Sequence, residues 1–173
     1  MAKVLIAFFS RADENYFGGA MRYVTVGNTE IAAGLAKELT HADTFKIEMQ
    51  KPYSPVYLTC IDEAKKDLRE NARPKLTNYL ESIDEYDTIV LGYPNYWGTI
   101  SMAVATFLER YDFTGKTILP FCTNEGSGMG SSELDIKKYA SGADIKKGLP
   151  ITGSRAAESK PQLQKWLKAN GLI

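Results

Sequence analysis

Three separated stretches of this chain carry residue types suited to holding a small ligand. The first is Ser10-Arg11, joined after a long gap by Gly27-Asn28-Thr29. The second is Tyr93-Pro94-Asn95-Tyr96-Trp97-Gly98, and the third is Thr123-Asn124-Glu125-Gly126-Ser127-Gly128. The Gly-Asn-Thr triplet opens a helical pattern, and a helix start presents free N–H groups and a partial positive charge. Asn28 and Thr29 add amide and hydroxyl donors, Gly27 lets the backbone come close, and Ser10 can reach the same point. The expected guest is a phosphate, although such a triplet taken alone reads first as an ordinary helix cap. The second stretch sets two aromatics side by side in a loop, which suits a flat ring. Trp97 is the first candidate for stacking and Tyr96 the second, with one ring of the pair expected to pack inward. In the third stretch, Gly126 and Gly128 among small polar neighbours would let the backbone hydrogen-bond the edge of a heterocycle. The alternative there is an ordinary flexible loop before a helix.

Other chemistries find no support. The lysine-bearing phosphate loop of nucleotide triphosphatases is missing, and so is a Gly-x-Gly-x-x-Gly fingerprint after the first apolar run. No nucleophile–base pair for hydrolysis stands out. No His/Cys/carboxylate spacing suggests a metal, and the only histidine, His41, is expected at a helix end. Cys122, beside the third stretch, reads as a buried strand-end cysteine rather than a reactive thiol.

The elements that must position these loops follow from periodicity. Val4–Phe9 and 88–93 are continuous apolar runs, as in strands covered on both faces. Residues 117–122 form a similar run, with Pro120 as a warning because proline cannot donate to a ladder. Residues 44–49 alternate and read as an edge strand, and 144–147 as a weak fifth strand. Helical spacing appears over 29–39 (Ile31, Leu35, Leu39), 56–71, 103–111, 134–139 and 162–169. Strand and helix thus alternate five times, the mark of a parallel sheet with helices on both faces. In such sheets ligands bind at the carboxyl ends of the strands, which is where all three stretches fall.

Bulk properties bound the rest. The 173 residues, 44% of them hydrophobic, suit one domain spanning 1–173 with a full core. With 21 acidic and 21 basic residues the chain lacks the basic surplus of a nucleic-acid binder, and the doublets Lys137-Lys138 and Lys146-Lys147 read as solvated faces. No membrane span and no signal-peptide pattern are read, and two isolated cysteines, Cys60 and Cys122, suit a reducing cytoplasm.

Taken together, these motifs resemble the flavodoxin family, in particular a branch with a Tyr-Pro-x-aromatic-Trp-Gly-Thr second loop and a Thr-x-x-Gly-Ser-Gly third loop. Here these are Tyr93 to Thr99 and Thr123 to Gly128. The resemblance covers almost the whole chain. It implies a doubly wound five-stranded parallel α/β sheet of order 2-1-3-4-5 with FMN as cofactor. By the same analogy Ser10, Asn28 and Thr29 would hold the phosphate, and Arg11 is a candidate to pair with it. Residues Pro94 to Gly98 would flank the isoalloxazine, and Thr123 to Gly128 would contact its far end. The implied function is a low-potential one-electron carrier between redox proteins, as a monomer or weak dimer. The alternative is an NAD(P)H-dependent FMN or quinone oxidoreductase on the same fold. Two departures stand out. Residues 11–26, with Gly18-Gly19 and the aromatics Tyr16, Phe17 and Tyr23, interrupt a phosphate loop that is compact elsewhere in the family. They suit a flap over the phosphate or a partner surface, but most of the segment is expected to be a solvated insertion. Glu125 stands where glycine is expected, and its side chain is expected to point to solvent.

Overall fold

The computed structural model describes residues 3–173. Strand β1 (Val4–Phe9) is buried almost throughout because helices cover both faces of the sheet it belongs to. Successive side chains of a strand alternate in direction, and the core divides accordingly. Leu5, Ala7 and Phe9 join one apolar cluster while Ile6 and Phe8 join a second on the opposite face. The same alternation runs through β5 (Thr88–Pro94) and β6 (Thr117–Asn124): Ile89, Leu91 and Ile118 face one way, Val90, Leu119 and Phe121 the other. The first cluster is closed by α3 (Met102–Arg110) and α4 (Ser132–Tyr139), and the second by α1 (Asn28–Thr40) and α5 (Lys160–Ala169).

All pairings in this sheet are parallel. Strand β4 (Asp43–Ile47) pairs only with β1 and forms one edge; β5 lies on the other side of β1, and β6 beyond β5. The far edge is shared by two short strands, β7 (Asp144–Ile145) beside the start of β6 and β8 (Leu149–Thr152) beside its end. The sheet therefore has the order 2-1-3-4-5, with the fifth position split. Pro120 accounts for the split. Lys146 N donates to Ile118 O, so Ile118 and, two residues on, Pro120 turn their backbones toward that edge. Pro120 has no N–H to give, and the ladder lapses between β7 and β8. The fifth strand expected over 144–147 is correspondingly shorter there and resumes at Leu149.

Helix α1 approaches the sheet through small residues. Ala32, Ala33 and Ala36 are fully buried, whereas Ile31, Leu35 and Leu39, the expected apolar stripe, are only partly so. His41 ends the helix in a left-handed conformation, its N–H bonded to Lys37 O at 2.8 Å. Helix α2 (Tyr57–Arg69) packs against α3. Residues 11–26 hold an element that the sequence reading lacks, an antiparallel hairpin of β2 (Asp13–Phe17) and β3 (Ala20–Val24) turning at Gly18-Gly19. Among the described residues no helix is long and apolar enough to cross a membrane.

Candidate functional site

The end of β1 and the start of α1 meet at Gly27. A Cβ there would lie 2.3 Å from Ser10 Oγ and 2.5 Å from the Arg11 carbonyl, so only glycine fits. Ser10 Oγ accepts a hydrogen bond from Glu30 N at 3.1 Å and so caps α1 from the neighbouring strand end. The first-turn amides of Asn28 and Thr29 have no partner inside the helix. The Thr29 side chain is buried and shares a 2.8 Å hydrogen bond with Thr123 Oγ1, tying the first loop to the third. Arg11 is committed elsewhere: its guanidinium donates to Ser54 O at 2.7 Å, to Asn15 Oδ1 at 3.2 Å and to the Glu14 carbonyl.

In the second loop, Tyr96 and Thr99 exchange backbone hydrogen bonds of 2.9 and 3.2 Å. Between them Trp97 and Gly98 both take positive φ, 54° and 83°. Glycine takes this conformation freely, but for tryptophan it is strained and has to be held by its surroundings. The hold is visible: Trp97 Nε1 donates to Ile61 O of α2 at 2.7 Å, and Lys65 Nζ sits 4.8 Å from the ring centre. The residue stays 46% exposed. Tyr96 is the inward ring of the pair, packed edge-on against Phe9 at 5.9 Å and beside Tyr53 at 6.3 Å.

Asn95 fastens the second loop to the third. Its N–H donates to Thr123 O and its Nδ2 to Gly128 O, both at 2.9 Å, while its Oδ1 accepts from Gly98 N at 2.8 Å. Gly98 O in turn accepts from Ser131 N at 2.7 Å, and a Cβ on Gly130 would sit 2.0 Å from that oxygen. The two loops are thus one rigid unit. Within the third loop, Glu125 does not point to solvent as expected. Its carboxylate accepts from Ser154 N at 2.6 Å and Ser154 Oγ at 3.0 Å, at the start of the short 3-10 segment Gly153–Glu158. The reason is local: that segment's first amides need an acceptor, and Glu125 supplies it across the strand ends.

These loops enclose a cleft of about 400 Å³, within the usual range for small-molecule sites. Asn28, Pro94, Asn95, Tyr96, Trp97, Gly98, Thr123, Asn124, Glu125 and Ser127 line it. Ser10, Arg11, Thr29, Gly126 and Gly128 do not line it; Ser10 and Thr29 fasten neighbouring elements, and Gly126 and Gly128 shape the third loop. Sequence reasoning missed a further wall. Tyr57, Cys60, Ile61 and Ala64 of α2 line the cleft, and so do Asn15 and Tyr16 of the hairpin and Gly153. The Gly18-Gly19 pair between aromatic-bearing runs was the available hairpin signal. Most of the segment stands in solvent as expected, Ala20–Val24 almost entirely so, but its first strand docks on the start of α2: Glu14 N donates to Pro55 O at 3.2 Å and Glu14 Oε1 accepts from Tyr57 N at 3.0 Å.

Burial sets the protonation of the walls. It pushes the phenols of Tyr57 and Tyr96 upward, Tyr96 well above its ordinary value. It also raises the Cys60 thiol, partly offset by Arg11 and by a hydrogen bond with Tyr96. The tyrosines and the thiol are therefore neutral near pH 7. Among the described residues no group of three His, Cys, Asp or Glu side chains could hold a metal.

Comparison with known proteins gives this arrangement a family. A provisionally assigned flavoprotein from Bacteroides uniformis ATCC 8492 is 30% identical, with TM-score 0.76 over 96% of this chain and 98% of its own. Another from Bacteroides eggerthii DSM 20697 is 24% identical, with TM-score 0.78 over 98% of each chain. A flavoprotein from Lactobacillus acidophilus NCFM, solved in complex with FMN, shares the fold at 16% identity, with TM-score 0.64 over 91% of this chain and 98% of its own. No curated sequence matches significantly. The family model described as Flavodoxin matches residues 19–170, and the chain belongs to the flavodoxin family.

Proposed function

We propose that the protein binds FMN in this cleft and carries electrons one at a time between redox proteins. The observation that carries the reading is the joining of three loops into one rigid cleft. It has an amide-rich helix start at one end and aromatic side chains, Tyr16, Tyr57, Tyr96 and Trp97, along its walls. The fit to the cofactor rests on the Gly27 junction, where the absent side chain lets β1 and the first turn of α1 approach closely. At the helix start Asn28 lines the cleft, and its first-turn amide and side chain would face the phosphate. The strained Trp97 and the hairpin's Tyr16 would bracket the ring. The second and third loops, held by Asn95, would present backbone groups to its edge. Bound there, FMN supplies the redox chemistry; the protein tunes it through burial and fixed dipoles. Preorganised loops favour fast transfer because little has to rearrange.

A second reading, an NAD(P)H-dependent FMN or quinone oxidoreductase, is favoured by one observation. Trp97 and Tyr16 are 46% and 42% exposed, and in this reading only one of them would cover the flavin, leaving its other face to a second flat molecule. FMN titration followed by stepwise photoreduction tests both. Uptake of FMN with two separated one-electron steps supports the carrier. A single two-electron step together with steady NAD(P)H consumption in the absence of any partner protein supports the oxidoreductase. No FMN uptake sinks both readings. The two free, buried cysteines suit a reducing compartment, and the cytoplasm is the proposed location. A monomer or weak dimer of one domain is the proposed working form.

A further inference from the structure

The Glu125 carboxylate is given no role of its own in the reading above, yet among the described residues it is the only acidic group lining the cleft, and no described lysine, arginine or histidine lines it. Its charge is held in position rather than free to turn away, because both carboxylate oxygens are bonded to Ser154. The position is informative. A Cβ on Gly153 would lie 2.8 Å from Asn28 Nδ2 and 3.2 Å from Glu125 Oε1, so the carboxylate stands close beside the Asn28 side chain at the start of α1. That helix start is the part of the cleft that favours an anion. The chain therefore keeps an acidic group of its own next to the place where a ligand's phosphate would sit, and no cation lining the cleft offsets it.

Resting on the FMN reading, we infer that Glu125 is a selectivity-determining residue. It opposes a dianionic phosphate at the α1 end of the cleft, so this protein discriminates only weakly between FMN and the same ring system with an uncharged tail. Riboflavin is the matching neutral ligand. The argument is electrostatic: a fixed negative charge a few ångströms from a phosphate of nearly two negative charges raises the free energy of the phosphate-bound state alone. The isoalloxazine and its contacts are common to both ligands and cancel in the ratio of their affinities.

The test is a pair of dissociation constants, for FMN and for riboflavin, measured by flavin fluorescence quenching on the wild type, Glu125→Gln and Glu125→Asp. Gln keeps an acceptor for Ser154 and removes the charge; Asp keeps the charge on a shorter arm. The expected result is FMN binding about tenfold tighter in E125Q. Riboflavin should change by less than about twofold, and E125D should stay near the wild-type ratio. Equal changes for both ligands in E125Q, or no change for either, would overturn the inference and leave the FMN reading standing. Such a result would make Glu125 a structural tie between the third loop and Ser154. If the wild type takes up neither flavin, the proposed function falls and this inference falls with it.

Discussion

Replacing Gly27 by alanine sets two effects of opposite sign against each other. Gly27 has φ −69° and ψ 157°, a conformation alanine adopts without strain. On backbone grounds alone, G27A would stabilise the fold by about 0.4–1 kcal/mol, by restricting the unfolded chain. Against this stands the added methyl, 2.3 Å from Ser10 Oγ and 2.5 Å from the Arg11 carbonyl. Ser10 can rotate away only by giving up its bond to Glu30 N, a loss of about 1 kcal/mol. The Arg11 carbonyl is less free, because it accepts from Asn15 Nδ2 at 3.0 Å and so anchors the hairpin. Overpacking of this kind costs about 1–3 kcal/mol, so the clash outweighs the entropy gain and a net loss of about 2 kcal/mol is expected. For a chain of this length that lowers Tm by about 4–8 °C. Thermal unfolding of the apoprotein by circular dichroism reads the stability change, and FMN titration of the same variant should show at least a tenfold weaker complex. A G27A protein as stable as the wild type or more so would mean that the β1–α1 junction yields freely. The case for a rigid anion cradle would then be lost.

Three more expectations can be checked with modest effort. Asn95→Ala removes the acceptor for Gly98 N and the donor to Gly128 O; it should cost about 2 kcal/mol of stability and weaken FMN by an order of magnitude or more in calorimetry. Binding within twofold of wild type would show that the two loops do not need this clamp. Trp97→Ala should weaken FMN or raise the potential of its second reduction step, and a variant with both unchanged removes Trp97 from the ring wall. Burial pushes the Cys122 thiol from 9.0 to about 12, and a group raised on folding stabilises the fold below its unfolded value and loses that contribution as pH climbs. Urea midpoints should therefore fall steadily above pH 9, less so in Cys122→Ala, while a thiol reagent at pH 8 leaves the buried Cys122 unlabelled until the protein unfolds. Rapid native labelling of Cys122 would contradict the burial argument.

Much of the architecture was legible because apolar runs and helical spacing report on burial directly. Val4–Phe9 reads as a strand covered twice because every side chain in it is apolar, and it is one. The alternation over 44–49 identified an edge strand because one face there meets solvent. Pro120 reads from the sequence as a break in the ladder, but only the pairing register shows that its missing N–H faces the gap between β7 and β8. The alanine face of α1 escaped because small residues carry little hydrophobic signal, although they let a helix lie closest to a sheet.

The sequence by itself determined which residues end the parallel strands, and hence that Asn28, the Pro94–Gly98 loop and most of the Thr123–Gly128 loop would gather at one edge. This follows because strand direction and right-handed crossovers leave little choice. Tertiary structure alone decided what each side chain does there. Arg11 is drawn to Ser54 and the hairpin, and Thr29 to Thr123. Glu125 turns to Ser154 rather than to solvent, and Tyr16, Tyr57 and Cys60 close a wall contributed by distant segments. The physical reason is the same in each case. Backbone periodicity is a local property carried by neighbouring residues. The partner of a polar or charged side chain is whichever unsatisfied group the folded chain brings within hydrogen-bonding reach, and many of those partners lie far away in sequence.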